Sequence, residues 1–293
     1  MYVRLNVVLS CTGEMTATNK PLPTRLGLVA GYGAFPLELA ESLQKQGIEV
    51  HTVAIREETS AEIENFSAST NWLHVGQLGG MIKAFKAVEV DSVIFAGKVQ
   101  KLHLFRNFLP DLTAIKTLAL LPDRRDDTIM HAIVGLLAKA GIEVRAQTEF
   151  AGDMLVGEGH LFGPKPSKEM MQDIRFGYTQ ASGIAALDIG QTVVIKQGAV
   201  LAVEAIEGTD EAIRRGGALG SGKATVVKVG KPEQDLRFDV PAFGPDTLET
   251  MHASGCRSLA VEAGITLMIE RHRIAEMAER YGICIYGYRP ESG

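Results

Sequence analysis

Leu26-Gly27-Leu28-Val29-Ala30-Gly31-Tyr32-Gly33, with residues 36–46 after it, decides the fold class of this 293-residue chain. The first five residues form a short apolar run, as a strand buried on both faces requires. Gly31-Tyr32-Gly33 reads as a tight turn. From Pro36 to Gln46 the apolar residues Leu37, Leu39, Ala40 and Leu43 recur at helical spacing, and Gly47 supplies a stop. Strand, glycine turn and helix in that order open a parallel α/β unit. The turn then lies at the carboxyl end of a strand, where such sheets bind ligands.

The alternation continues through the first half. Strands are expected at 48–54, 73–75, 92–96 and 142–146, and helices at 81–88, 112–121 and 127–140. The second half reads differently. A helix at 167–187 precedes a hairpin of 192–196 and 199–206 around Gln197-Gly198. Thr209 is expected to cap a short helix ending at Arg214-Arg215-Gly216. Strands at 224–229, 237–240, 258–261 and 283–286, an apolar segment at 265–269, and helices after Pro245 and at 272–281 complete the pattern. The fold class is α/β in two domains. A Rossmann-like parallel-sheet domain is expected over 25–148 and an α/β catalytic domain with hairpin character over 149–293. Residues 1–24 read as a poorly patterned tail in which Met15 offers a second start.

At 46% hydrophobic residues the chain can bury a sizeable core, and its length favours two domains. The net charge is −5, and aromatics, at 6%, do not interleave with a basic run. That composition excludes a nonspecific nucleic-acid binder. Cys11, Cys256 and Cys284 are odd in number and far apart, without zinc spacing, which is the usage of a reducing cytosol. No apolar run approaches the roughly 20 residues of a membrane span. Val7-Val8-Leu9, broken by Asn6 and Ser10, is too short for a secretory signal core.

Charges crowd the turns and strand ends of the second half, where side chains can converge. Glu204, Glu207 and Asp210 surround one expected strand end, with Gly208 to bend the chain. Asp235 and Asp239 follow, among Lys231 and Arg237. Carboxylates so placed can hold a divalent metal, and Lys231, Arg237 and Lys223 can hold phosphoryl oxygens, a combination suited to phosphoryl chemistry. Within 237–240, alternation puts Arg237 and Asp239 on one face and Phe238 and Val240 on the other. A surface ion pair there would contribute only about 0–1 kcal/mol, so packing gives no strong reason for the arrangement. Gly31-x-Gly33 is a partial dinucleotide fingerprint with Pro36 in place of the third glycine, although its amides can receive an anion. Gly97-Lys98 at another strand end reads as a phosphate contact or as an exposed lysine. The histidines have no nucleophile elbow near them. Ser221-Gly222-Lys223 does not meet the phosphate-loop pattern, because Ala224 follows the lysine.

Several segments together, in order and spacing, resemble a known family. They are Gly31-Tyr32-Gly33-Ala34-Phe35-Pro36, Phe95-Ala96-Gly97-Lys98-Val99, Asp188-Ile189-Gly190-Gln191, the stretch from Ala202 to Asp210, and Lys231-Pro232 through Gly244-Pro245-Asp246-Thr247. The chain from about 25 to 289 is similar to the LpxI-type UDP-2,3-diacylglucosamine pyrophosphatases of bacterial lipid A synthesis. The resemblance implies hydrolysis of UDP-2,3-diacylglucosamine to UMP and 2,3-diacylglucosamine 1-phosphate (lipid X). It implies a divalent ion, Mg2+ or alternatively Mn2+, and a cytoplasmic homodimer peripheral to the inner membrane. The family's essential aspartate falls on Asp239. Glu204, Glu207 and Asp235 are then candidate metal partners, Lys231 and Arg237 catalytic cations, and Gly31, Gly33, Lys98, Thr209, Asp210 and Lys223 substrate contacts. The competing readings are a non-catalytic nucleotide- or lipid-binding protein and an NAD-linked oxidoreductase.

Overall fold

A computed structural model describes residues 8–9, 15–16, 22–100, 108–123 and 125–290. The chain divides into two compact units, Met1–Gly152 with Leu236–Phe238, and Asp153–Asp235 with Asp239–Gly293. Ahead of the first sheet, Val8–Leu9 pairs antiparallel with Met15–Thr16. Cys11 and Arg124 lie outside the described residues.

In the first unit, β1 (Arg25–Ala30), β2 (Glu49–Ile55), β3 (Ser69–Leu73), β4 (Ser92–Ala96) and β5 (Glu143–Val144) form a sheet in the order β3-β2-β1-β4-β5. Every pairing is parallel. Helices α1 (Phe35–Lys45), α2 (Leu78–Ala87), α3 (Leu112–Ala119) and α4 (Asp126–Lys139) belong to this unit. Leu26, Leu28 and Ala30 are fully buried, as the apolar run requires. Phe85 of α2 and Leu137 of α4 share one core cluster with Val53 and Val93.

Two elements differ from the sequence reading for identifiable reasons. The strand expected at 73–75 is β3, which lies at 69–73 and pairs His51 with Ser69 and Ile55 with Leu73. As an edge strand it carries the polar residues Ser69, Thr70 and Asn71, which an apolar-run search passes over. Helix α2 starts three residues early because Asp111, distant in sequence, accepts the amides of Gly79 (2.6 Å) and Gly80 (3.2 Å). The same carboxylate caps α3 through Ala114 N at 2.9 Å.

The second unit holds β6 (Gly159–Phe162), α5 (Lys168–Ala186), β7 (Thr192–Lys196), β8 (Ala199–Val203), α6 (Thr209–Gly220), β9 (Thr225–Lys228), β10 (Ala242–Phe243), α7 (Pro245–Ser254), β11 (Ser258–Glu262), β12 (Leu267–Met268), α8 (Arg271–Tyr281) and β13 (Cys284–Tyr288). Its main sheet runs β8-β7-β9-β11-β13-β6. The central β9, β11 and β13 are parallel, and the flanking strands are antiparallel to their neighbours. Short β10 and β12 pair with each other. Val226 belongs to a core cluster with Ile213, Leu248 and Ile274, whereas Val227 belongs to a second with Ile174 and Ala181. Adjacent residues thus serve opposite faces, and both faces are covered. The hairpin turn has Gln197 at φ 50° and Gly198 at φ 72°, as a two-residue turn matching strand twist requires. Asp173 accepts both turn amides, at 3.0 and 2.8 Å.

Three expectations fail in this unit. Strand β6 was not foreseen; it is a sheet edge paired with β13. The segment 237–240 is no strand but a turn, in which the Asp239 amide donates to the Asp235 carbonyl at 2.9 Å. The alternation of Arg237 and Asp239 against Phe238 and Val240 therefore does not exist. The helix expected to stop at Gly216 continues to Gly220, starts at Thr209, and has Gly208 (φ 85°) rather than Thr209 as its cap. Its glycines serve contact rather than termination. A Cβ on Gly216 would lie 2.4 Å from Val194 Cβ, and one on Gly217 would lie 2.3 Å from the Ser254 carbonyl oxygen.

That contact sets the sign of two substitutions. Gly217→Ala pushes a methyl against a backbone atom that cannot rotate aside, and overpacking costs about 1–3 kcal/mol. This outweighs the helix propensity gained, at most about 1 kcal/mol. Gly183 of α5 has nothing within 4 Å of a built Cβ, so Gly183→Ala keeps the full gain of roughly 0.5–1 kcal/mol. Urea unfolding should show the first variant destabilised and the second stabilised.

Candidate active site

The carboxyl ends of β9 and β11 gather the polar residues of the second unit. Antiparallel register places Thr192, the first residue of β7, opposite Lys228, the last of β9, and Val203 of β8 opposite Val193. Glu204 follows at the same edge. Lys228 and Glu204 are each 8% exposed, and Thr192 is fully buried. A hydrogen-bonded chain joins them. Lys228 Nζ donates to Thr209 Oγ1 at 3.3 Å, and Thr209 Oγ1 donates to Glu204 Oε1 at 2.8 Å. Glu204 Oε2 accepts the Gln191 amide at 3.3 Å. Burying a carboxylate or an ammonium is costly unless opposite charge and hydrogen bonds compensate. The 188–191 loop closes on this group so tightly that a Cβ on Gly190 would lie 2.1 Å from the Glu204 carbonyl oxygen.

The second part of the site is the loop 230–241. Its start is held where the Gly230 amide donates to Glu262 Oε2 at 2.8 Å. Gln234 then folds back, its Oε1 accepting the Lys231 amide at 3.0 Å and its own amide reaching the Lys231 carbonyl at 3.1 Å. Lys231 Nζ meets Asp188 Oδ1 at 2.6 Å. Asp235 and Asp239 are separated by one chain reversal, with Asp239 exposed. Between them, Leu236–Phe238 count with the first unit, where the Leu236 carbonyl accepts the Gln147 amide at 3.0 Å and the Phe238 ring stands 5.3 Å from that of His131.

The expected site residues therefore scatter. Glu204 and Thr209 come together, and Lys231, Asp235, Arg237 and Asp239 share one loop. Asp210 sits in the first turn of α6, where its charge complements the helix dipole. Lys223 does not join them. It precedes β9, at the opposite end of that strand from Lys228, exposed and with φ 59°. Glu207 occupies an exposed turn paired to Arg215. Backbone amide hydrogen bonding, above all its own, together with the Arg215 guanidinium, holds its carboxyl below the usual range. Among the described residues no three His, Cys, Asp or Glu side chains are grouped to hold a metal ion. Glu204, Glu207, Asp235 and Asp239 thus form no common cage, because Glu204 turns inward to Thr209 and Glu207 outward to Arg215.

In the first unit, Gly31 and Lys98 meet through their backbones. The Gly31 amide donates to Ala96 O at 2.8 Å, the Tyr32 amide to Lys98 O at 2.7 Å and the Lys98 amide to Tyr32 O at 3.1 Å. A Cβ on Gly31 would lie 2.6 Å from Lys98 O, and one on Gly97 (φ 86°) 2.7 Å from Tyr32 O. These glycines permit close approach of two chains, and the Gly31 and Tyr32 amides are engaged within the protein instead of facing an anion. Gly33 (φ 108°) has open space at its Cβ position, and the Lys98 side chain is exposed.

Sequence reasoning missed Lys228 and Glu262, both at carboxyl ends of central strands. Each was visible as a lone charge closing an apolar run, Thr225-Val226-Val227-Lys228 and Ser258-Leu259-Ala260-Val261-Glu262. Glu262 Oε1 accepts from the Tyr178 hydroxyl at 3.2 Å. Burial first, and then the Glu262 charge, push Tyr178 up to about 12. Burial likewise pushes the Cys256 and Cys284 thiols up to about 11, so neither supplies a thiolate nucleophile near neutral pH.

Comparison with known proteins bears on most of the length. The LpxI N-terminal domain family model matches residues 25–154, and the LpxI C-terminal domain model matches residues 157–286. The chain is 32% identical over 278 residues to the UDP-2,3-diacylglucosamine pyrophosphatase LpxI of Caulobacter vibrioides, covering 91% of this chain and 98% of that one. Solved structures match weakly. The biotin carboxylase domain of Hydrogenobacter thermophilus 2-oxoglutarate carboxylase is 13% identical over 59% of this chain and 35% of its own, with a TM-score of 0.23. The structure of gox2253 is 11% identical over 90% and 89%, with a TM-score of 0.29. Neither structural likeness supports an inference. The two family matches, over 25–154 and 157–286, settle the relationship: the chain belongs to the LpxI family.

Proposed function

We propose that the protein hydrolyses the pyrophosphate bond of UDP-2,3-diacylglucosamine, releasing UMP and 2,3-diacylglucosamine 1-phosphate in lipid A synthesis. The observation that carries this reading is the match across nearly the full length of a relative named for that activity. The second unit supports it with chemistry. Lys231 shares with Asp239 the loop beside an edge that buries a further cation, Lys228. A pyrophosphate diester repels an incoming nucleophile, so catalysis depends on placing cations against its oxygens and orienting water. Lys231 and Arg237 are the groups to contact the phosphoryl oxygens, and Asp239 the group to orient the attacking water.

A magnesium ion, with manganese as an alternative, fits this arrangement in a restricted sense. Magnesium is usually held by one or two carboxylates plus substrate phosphate oxygens, and Asp235 and Asp239, one reversal apart, are the carboxylates to supply. Bound there, the ion would neutralise phosphoryl charge. Inner-membrane contact and homodimerisation belong to this reading through the family resemblance alone.

The first experiment measures UMP release from UDP-2,3-diacylglucosamine by the purified protein, with magnesium and then with EDTA. Turnover should need the metal and return on adding it back; full turnover in EDTA would remove the metal from the reading. Asp239→Ala should lower kcat by at least about 10²–10⁴-fold while circular dichroism and thermal melting stay near those of the parent. Near-parental turnover by that variant sinks the assignment. Glu204→Ala should destabilise the metal-free protein by about 1–3 kcal/mol for each donor it leaves without an acceptor. Urea unfolding in EDTA reads this. A stabilised variant would instead mean that Glu204 repels neighbouring carboxylates and does belong to a metal shell.

A further inference from the structure

The loop 230–241 is rooted on a carboxylate that the proposed chemistry does not use. Glu262 accepts on both oxygens, from the Gly230 amide at 2.8 Å and from the Tyr178 hydroxyl at 3.2 Å. Tyr178 stands on α5, and its ring lies 5.0 Å from that of Tyr288 on β13. The loop's entry and exit are adjacent. A Cβ on Gly230 would lie 2.5 Å from Ile265 Cδ1 and 3.5 Å from Pro241 Cγ. The Pro241 carbonyl in turn accepts the Leu267 amide at 2.8 Å. The loop is therefore closed at its neck and tied near its start by Gln234, while Leu236–Phe238 at its middle belong to the first unit. Where Gly230 sits sets where the two limbs of the loop leave the second unit, one carrying Lys231 and Asp235 and the other Asp239.

We infer that Glu262 is a positioning residue. It accepts the Gly230 amide on one oxygen, is oriented through the other by Tyr178, and so holds the neck of the loop whose exit limb carries Asp239. The inference rests on the assignment of Asp239 above. The role needs acceptor geometry and not charge. Glutamine can keep it, accepting from Gly230 through Oε1 and donating through Nε2 to the Tyr178 oxygen. Alanine cannot.

The test uses the full chain, steady-state UMP release with magnesium, and hydrogen exchange of peptides covering 230–241. Glu262→Ala should lower kcat by about 10–100-fold, the scale on which a misplacement of about 1 Å acts. KM should stay within about 3-fold, since the loss is of transition-state contacts. Loop peptides should exchange faster. Glu262→Gln should keep kcat and the exchange pattern close to the parent's. Parental kcat and exchange in the alanine variant would overturn the inference. So would a glutamine variant as impaired as the alanine one, which would make the charge itself the functional feature. If the alanine variant does not fold, the double variant Glu262→Gln with Tyr178→Phe decides. There the amide loses its orienting partner, so kcat should fall and exchange rise beyond either single change; simple additivity overturns the inference. Turnover surviving Asp239→Ala would defeat the catalytic assignment and leave the exchange result standing. A protected loop in the alanine variant would defeat the anchor and leave Asp239 untouched.

Discussion

A lysine ammonium buried at the end of a sheet must have compensation within hydrogen-bonding reach, and much of the second unit's polar edge is arranged around that need. Lys228 reaches the Glu204 carboxylate through the Thr209 hydroxyl. Thr209 is the first residue of α6, so the chain from cation to anion also fixes where that helix begins relative to β8 and β9. The glycine at 190 follows from the same requirement, because any side chain there would strike the backbone of Glu204. An ion pair bridged by a hydroxyl is weak evidence of stability, but loss of either end leaves a buried group to be accommodated.

The acids of the second unit show how far environment, and not residue type, assigns roles. Glu204 is buried and committed to the edge. Glu207, three residues on, faces solvent and an arginine. Glu262 receives a backbone amide, Asp173 receives two and thereby shapes a hairpin, and Asp239 lies exposed on a loop. Counting acids along the sequence suggested a shared metal cage. Of the four so counted, Glu204 belongs to an ion-pair bridge and Glu207 to a surface pair, Asp235 and Asp239 share the loop, and Glu262 and Asp173, outside the count, anchor backbone amides.

How much was legible follows the same division. Strands covered on both faces, such as 26–30 and 92–96, announce themselves as apolar runs, and the first sheet was readable from them. Edge strands β3 and β6 were missed or displaced because, among the described residues, one edge of each meets no strand and their composition relaxes accordingly. Gly216 was taken for a stop when its lack of a side chain serves helix-to-strand contact. Alternation around Asp239 was a misleading signal, since four residues can alternate by chance and the segment satisfies its backbone within a turn. Asp239 was singled out by that alternation as well as by family resemblance, and with the alternation gone only the resemblance places it ahead of Asp235. Lys228 and Glu262 were the opposite case, plain in the sequence as charges ending apolar strands and overlooked because they stood outside the crowded stretch.

Leu236–Phe238 carry a consequence for biosynthesis. These three residues complete the first unit, with Phe238 packed against the core cluster that holds Phe85 and Leu137. Synthesis proceeds at about 5–20 residues per second, so the first sheet emerges from the ribosome several seconds before its last core residue does. Through that interval the His131 side of α4 lacks its aromatic neighbour. The amino-terminal unit of this chain is therefore sealed only by a later part of the polypeptide, and its maturation on the ribosome is tied to translation of the downstream unit.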